Sequence, residues 1–174
     1  MFLTSPDLRY EKAFLRLVED YRLVGEQDGL SRYTPGKIDF FSYVGFLQSA
    51  AHGIGLPEGQ VPYFTFWLVE GEEIVGITRI RLRLTAESEK NDGHIGYDIP
   101  PAQRRKGYGT ALLRMSLIQA RELGLQRVVL TCLSTNNASK RIIEKCGGRL
   151  LGLVNDDETG LPLCRYEVEM GDES

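Results

Sequence analysis

The stretch from Gly93 to Leu112, GHIGYDIPPAQRRKGYGTAL, constrains this chain more than any other segment. It reads as a strand, a basic loop containing two glycines, and then a helix. The start of a helix leaves backbone N–H groups unpaired and carries a partial positive charge. Glycines that let the backbone approach closely at that point make a seat for a phosphate or pyrophosphate. A nucleotide-like cofactor is therefore expected.

With 174 residues and 42% hydrophobic content, the chain supports one compact domain over residues 1–174. A formal net charge of −3 argues against general polyanion binding, so no nucleic-acid partner is expected and any anion site must be local. The three cysteines, Cys132, Cys146 and Cys164, form no CxxC pair and leave one thiol over. They suggest neither a disulfide framework nor a metal site, and read as small apolar fillers in a reducing cytoplasm. No apolar run approaches the roughly 20 residues that span a bilayer. The amino end, MFLTSPDLRY, also lacks a basic segment followed by an apolar one, so a cytoplasmic protein without membrane association is expected.

Along the chain, Phe2–Leu3 reads as a short edge strand and residues 6–24 as a helix with Phe14, Leu17, Val18 and Tyr21 on one face, stopped by Gly25. A second helix is expected over 39–51, then a loop, GIGLPEGQVP. FTFWLVE and IVGITRIRLRL form a hairpin turning at Glu70–Glu73. In its second arm Ile80, Leu82 and Leu84 alternate with Arg79, Arg81 and Arg83, which predicts one buried face and one solvated cationic face. TAESEKNDG reads as a polar loop. After the glycine loop come a helix over 108–123 ended by Gly124, a buried-type strand RVVLTCL, and a helix NNASKRIIEKC capped by Asn136 or Asn137. Two strands around NDDETG close the chain. The fold class is α/β, with a mixed α+β sheet.

Three phosphate-binding patterns compete for RRKGYGTAL. The P-loop places its lysine after the last glycine, whereas Lys106 precedes both glycines here. The dinucleotide fingerprint needs a third glycine where this chain has Leu112. The third pattern fits: Arg104, two residues, Gly107, one residue, Gly109. This loop resembles the R/Q-x-x-G-x-G/A signature of the GNAT superfamily of N-acyltransferases. The resemblance extends to Asn136, Ser139 and the IEKCGG segment ending at Gly148, and element order agrees over essentially the whole chain.

The resemblance implies a central twisted, mostly antiparallel sheet flanked by helices, and acetyl-CoA as cosubstrate with no metal. It implies that Ile99 pairs through its backbone with the pantetheine arm, as an added strand would. Gln103, Arg104, Arg105, Lys106, Gly107, Tyr108, Gly109 and Thr110 then surround the pyrophosphate, with the amides of 105–109 as donors. Asn136 and Ser139 meet the pantetheine or thioester region. The implied reaction is direct transfer of acetyl to a primary amine of a small molecule or peptide, in a protein that forms a homodimer in many relatives. A non-catalytic acyl-CoA sensor is the alternative.

The chemistry needs a route for the amine's proton, because neutralising a lysine-like amine at pH 7 costs roughly 4–5 kcal/mol. Many relatives carry a tyrosine as general acid where this chain has Ile143, and the strand glutamate aligns with Gly93. The remaining candidates are His94 and Tyr97. By alternation His94 and Asp98 share one face of the motif strand, and Ile95, Tyr97 and Ile99 the other. A backbone N–H between Tyr97 and Ile99 is the expected oxyanion donor. His52 reads as structural, and Glu19, Asp20, Glu26 and Asp28 suit a cationic acceptor if they line its cleft. Acceptor specificity is expected from the first two helices, the GIGLPEGQVP loop and the final hairpin.

Overall fold

The computed structural model describes residues 1–157 and 159–171. Its first half is a layer of three helices, α1 (Glu11–Val24), α2 (Gln27–Ile38) and α3 (Phe40–Ala50), preceded by strand β1 (Phe2–Thr4) and a 3-10 turn at Leu8–Tyr10. In α1, Phe14, Leu17, Val18 and Tyr21 are buried as the spacing predicts, and Gly25 closes the helix in the left-handed conformation, φ 72°. The Asp39 carboxylate accepts from the Ser42 N–H at 3.0 Å and starts α3.

Helix α2 fills the stretch between the helices expected over 6–24 and 39–51, although QDGLSRYTPGKI carries two glycines and a proline that ordinarily argue against a helix. The structure supplies the reason. A Cβ on Gly29 would lie 2.2 Å from the Tyr21 ring, and one on Gly36 would lie 2.5 Å from the Phe14 ring. Both glycines are contact points where α2 presses against α1, so close packing offsets their poor propensity. The interface is aromatic: Phe14 meets Tyr33 edge-on at 6.1 Å, and Tyr21 meets Tyr33 at 5.4 Å.

The strands form two antiparallel sheets rather than one continuous sheet. The first runs β1–β2–β3–β4, with β2 at Tyr63–Glu70, β3 at Glu73–Arg81 and β4 at Ile95–Asp98. A short helix, α4 (Ala86–Asn91), lies between β3 and β4 in the chain. The second sheet has β5 (Arg127–Leu133), β6 (Arg149–Asn155) and β7 (Pro162–Glu169), with β7 in the middle. Helices α1–α3 cover one face of the first sheet, packing on Trp67, Val69, Ile74 and Ile77. Helix α5 (Tyr108–Glu122) covers the other face, and α6 (Asn137–Lys145) packs beside it over Cys164 and Tyr166. Ser116 of α5 donates to the Thr78 hydroxyl at 3.0 Å, and Thr78 donates on to the Gly96 carbonyl at 3.3 Å, so a buried polar chain fixes α5 on the sheet.

Two further expectations are corrected. TAESEKNDG is not a plain loop, because Thr85 and Ser88 form a reciprocal capping box that starts α4. The arginine face of β3 is not simply solvated either. Strand β3 ends at Arg81, Leu82 and Leu84 are not fully buried, and Arg79 and Arg81 are themselves half-buried. Arg79 lies under α3 against Tyr43, and only Arg83 points to solvent. Of the predicted last turn, Glu158 lies outside the described residues.

In the second sheet, the buried Glu167 carboxylate takes Arg127 and Arg149 at 2.7 Å each, tying the strands on either side of β7 together. Hydrogen bonding from Arg127, then from Arg149, holds its pKa below the usual carboxylate value despite burial.

This packing sets the sign of two substitutions. Gly29→Ala should lower stability by about 1–3 kcal/mol through overpacking on Tyr21. Gly45→Ala, on the exposed side of α3 with nothing within 4 Å of the new Cβ, should raise it by about 0.5–1 kcal/mol. Urea midpoints shifted in opposite directions check the pair. Because the Glu167 pKa is depressed on folding, its contribution is present above the unfolded carboxylate pKa and is lost as pH falls through the folded value. Melting temperatures of wild type and Glu167→Gln should therefore differ at pH 7 and converge in acid below the ordinary carboxylate range.

Candidate active site

The site begins where β4 leaves β5. Gly93, at φ 74°, brings its backbone so close to the second sheet that a Cβ would sit 2.5 Å from the Val129 carbonyl oxygen. His94 then makes two bonds to one residue: its N–H donates to Val129 O at 2.7 Å, and its Nδ1 accepts the Val129 N–H at 3.0 Å. Beyond that clasp β4 pairs with β3 on one edge, and no strand among the described residues pairs with the other.

The register decides which backbone groups this leaves open. Arg81 N–H donates to His94 O at 2.8 Å, so antiparallel alternation directs the N–H and C=O of Tyr97 and Ile99 away from β3, into the gap. This is the edge that an extended pantetheine arm requires. Ile99 O accepts from Arg104 Nε at 3.0 Å, which leaves its N–H and both groups of Tyr97 for a ligand.

A cavity of ≈ 660 Å³ opens along this edge. Of the expected binding residues, Ile99, Gln103, Arg104, Arg105, Gly107, Gly109 and Thr110 line it from the strand and loop, and Asn136 and Ser139 line it from the start of α6. Lys106 and Tyr108 do not. Lys106 is exposed and donates to Gln103 Oε1 at 3.0 Å, while Tyr108 turns into the apolar cluster of Leu68, Val75 and Leu112.

The loop leaves backbone N–H groups open at the start of α5. Arg105 and Gly107 both adopt positive φ, 62° and 87°, and Gly107 is the N-cap of α5 without any side chain bonded to the first-turn amides. Those N–H groups are open to a ligand. Gly109 serves packing instead, since a Cβ there would lie 2.7 Å from Ile142 Cδ1 and its absence lets α6 close over the loop. Asn136 caps α6, its Oδ1 accepting the Ser139 N–H at 3.0 Å, and only its amide NH₂ remains for a ligand.

The role expected of Arg104 changes. Its guanidinium grips both oxygens of Glu26, with Nη2 at 2.7 Å, while Nε holds Ile99 O. The residue that opens the motif is thus a bracket between the loop, β4 and the α1–α2 elbow, with its charge already matched. Among Glu19, Asp20, Glu26 and Asp28, only Glu26 reaches the cavity. Glu19 pairs with Arg22 on the surface. Asp98, which no sequence pattern singles out, lines the cavity instead, its Oδ2 accepting from Tyr33 Oη at 3.0 Å and Arg32 Nη1 at 3.4 Å. Both partners lie on α2, the helix that local propensity conceals.

The two candidate catalytic side chains separate clearly. His94 does not line the cavity; its Nδ1 lone pair is occupied in joining the sheets, and burial holds its pKa below the ordinary value. Tyr97 does line it. Its hydroxyl is buried beside Ser139 with no well-formed hydrogen bond, and burial pushes its pKa up to about 12. A phenol of that kind is a proton donor at neutral pH, not a base. Among the described residues, no group of three or more His, Cys, Asp or Glu side chains is placed to hold a metal ion, and no helix is long and apolar enough to cross a membrane.

Comparison with known proteins agrees with this architecture. No curated protein matches the sequence. Mycobacterium smegmatis RimJ, solved with a CoA disulfide, superposes with a TM-score of 0.71 at 19% identity, over 96% of this chain and 80% of that one. RimL, a ribosomal L7/L12 alpha-N-protein acetyltransferase solved with coenzyme A, gives 0.70 at 17% identity over 97% and 93%. The microcin C7 self-immunity acetyltransferase MccE, solved with acetyl-CoA and AMP, gives 0.62 at 17% identity over 96% and 91%. At these identities the likeness establishes the fold. Residues 16–149 match the acetyltransferase (GNAT) domain model, so the chain belongs to the GNAT acetyltransferase family and uses acetyl-CoA as its cosubstrate.

Proposed function

We propose that this N-acetyltransferase passes acetyl directly to a primary amine of a small molecule or a peptide, with Tyr97 as the proton donor to the departing sulfur. The observation that carries the reading is Tyr97 itself, which lines the cavity beside the open edge of β4 and whose buried hydroxyl has no hydrogen-bond partner. It stands in for the tyrosine that relatives carry where this chain has Ile143, which is fully buried in the core here.

Acetyl-CoA supplies an activated thioester, and the chain's own groups do the rest. The uncapped amides at the start of α5 hold the pyrophosphate, and the outward backbone of Tyr97 and Ile99 aligns the pantetheine arm. The Tyr97 N–H faces the charge that develops on the thioester oxygen. As the C–N bond forms and the C–S bond breaks, the Tyr97 Oη proton moves to sulfur, the amine's proton leaves to water at the cavity mouth, and water returns a proton to the Tyr97 phenolate. No side chain is acylated. The three free thiols fit work in a reducing compartment.

Tyr97→Phe should bind acetyl-CoA as wild type does by calorimetry but lose roughly 10- to 100-fold in kcat, at the low end for general-acid loss because a thiolate leaves readily. An unchanged kcat in a thiol-release assay over an amine panel would remove Tyr97 from the chemistry. Acetyl-CoA binding with no acceptor-dependent thiol release would favour the sensor alternative. Rapid-quench trapping of an acetylated side chain that turns over would replace direct transfer. For the anion seat, Gly107→Ala meets no neighbour within 4 Å but must hold a left-handed backbone, at a cost of about 1–2 kcal/mol. Its CoA affinity should fall about 5- to 30-fold in calorimetry with the fold intact by circular dichroism.

A further inference from the structure

Resting on the direct transfer described above, we propose that Arg79 anchors an anionic group of the acceptor, so that the amine acetylated belongs to a molecule with a carboxylate a few bonds from its amino nitrogen. Among the described residues three arginines are half-buried, Arg79, Arg81 and Arg165. Arg165 holds Glu89 at 3.3 Å, and Arg81 faces Asp92 at 3.9 Å. Arg79 alone of the three has no carboxylate of the described residues within ion-pair reach.

Neutral hydroxyls surround it instead. Its side chain lies against the Tyr43 phenol of α3, and Thr65, directly opposite on β2, buries a hydroxyl that has no hydrogen-bond partner. Neither group offsets the charge of a guanidinium that has given up part of its hydration. Asp98, the acid of β4 on this face, is already taken, by Tyr33 Oη at 3.0 Å and Arg32 Nη1 at 3.4 Å. Arg81, two residues on, adds a second positive charge to the same face of β3.

The position of Arg79 suits an acceptor. It pairs in register with Gly96 of β4, and a Cβ on Gly96 would meet nothing within 4 Å, so the sheet is open beside the guanidinium. Asp98, next along β4 on that face, lines the cavity, and the N–H between them is that of Tyr97, assigned above to the thioester oxygen. Neighbouring strands lie about 4.8 Å apart, so an anion on Arg79 and a nitrogen attacking beside Gly96 belong to one small group of atoms. A carboxylate matches the guanidinium fork with two parallel hydrogen bonds. Its source is the α-carboxylate of a free amino acid or the acidic first side chain of a peptide.

Rates of thiol release from acetyl-CoA test this on matched acceptors: alanine and serine against their carboxamides, and the peptide amide Asp-Ala-Ala against Asn-Ala-Ala. Wild type should favour the acid in at least one kind of pair by about 10- to 100-fold in kcat/KM. Preference within the amino-acid pairs identifies the α-carboxylate, and preference within the peptide pair the side-chain one. Arg79→Gln should bring the ratio close to one and Arg79→Lys should keep part of it, while Arg83→Gln, at an exposed arginine, should keep all of it. Equal rates for acid and amide in wild type, or an Arg79→Gln loss that falls on both alike, overturn the proposal. If the Arg79 variants do not fold by circular dichroism, the wild-type ratios decide. If no pair is acetylated, calorimetry on the CoA-loaded protein decides: acids that bind more tightly than their amides support the anchor although the transfer reading fails, and equal or absent binding refutes it.

Discussion

The two hydrogen bonds between His94 and Val129 are the constraint on which the rest of this protein depends. They pin two sheets at one point and let them part beyond it. Buried or half-buried main-chain donors and acceptors are costly to leave unpaired, so a strand edge inside a molecule has to be answered by something. Here the open edge of β4 faces the cavity. Because glycine alone fits against Val129 at φ 74°, the point of divergence at Gly93 is fixed by the backbone and not by a mobile loop.

A second requirement is that the glycine loop stay in register with that edge. Arg104 provides this by holding Ile99 O and Glu26 at once. The bracket links the cofactor loop to the α1–α2 elbow, and Asp98 with Tyr33 and Arg32 makes a parallel link from β4 to α2. Exposed ion pairs contribute little to stability. What they set here is position: α2 and its elbow with α1 are tied to the strand whose open edge lines the cavity.

The sequence is most informative where one backbone geometry has one solution. Gly107 with the following apolar helix announces the left-handed start of α5, and Asn136 announces the cap of α6, because few residues can do either job. It is least informative where packing overrides local preference. Gly29, Pro35 and Gly36 read as a break, yet aromatic rings on α1 demand those glycines, and a helix forms against propensity. Without α2, Tyr33 and Arg32 have no place, and Asp98 has no partners to mark it. Arg104 shows a third kind of miss: its motif position is legible, but whether a guanidinium meets a phosphate or a carboxylate depends on a residue 78 positions away.

Those pairings also bear on the hardest step, removal of the amine's proton. A bare carboxylate beside the acceptor would stabilise its ammonium form and work against transfer. Glu26 and Asp98, the two acids lining the cavity, are each met by an arginine, so the mouth does not present an uncompensated negative field. In the proposed reaction, desolvation of the amine on entry lowers its pKa and offsets part of the roughly 4–5 kcal/mol needed at neutral pH. The Tyr97 side chain lies on the opposite face of β4 from Asp98 by strand alternation.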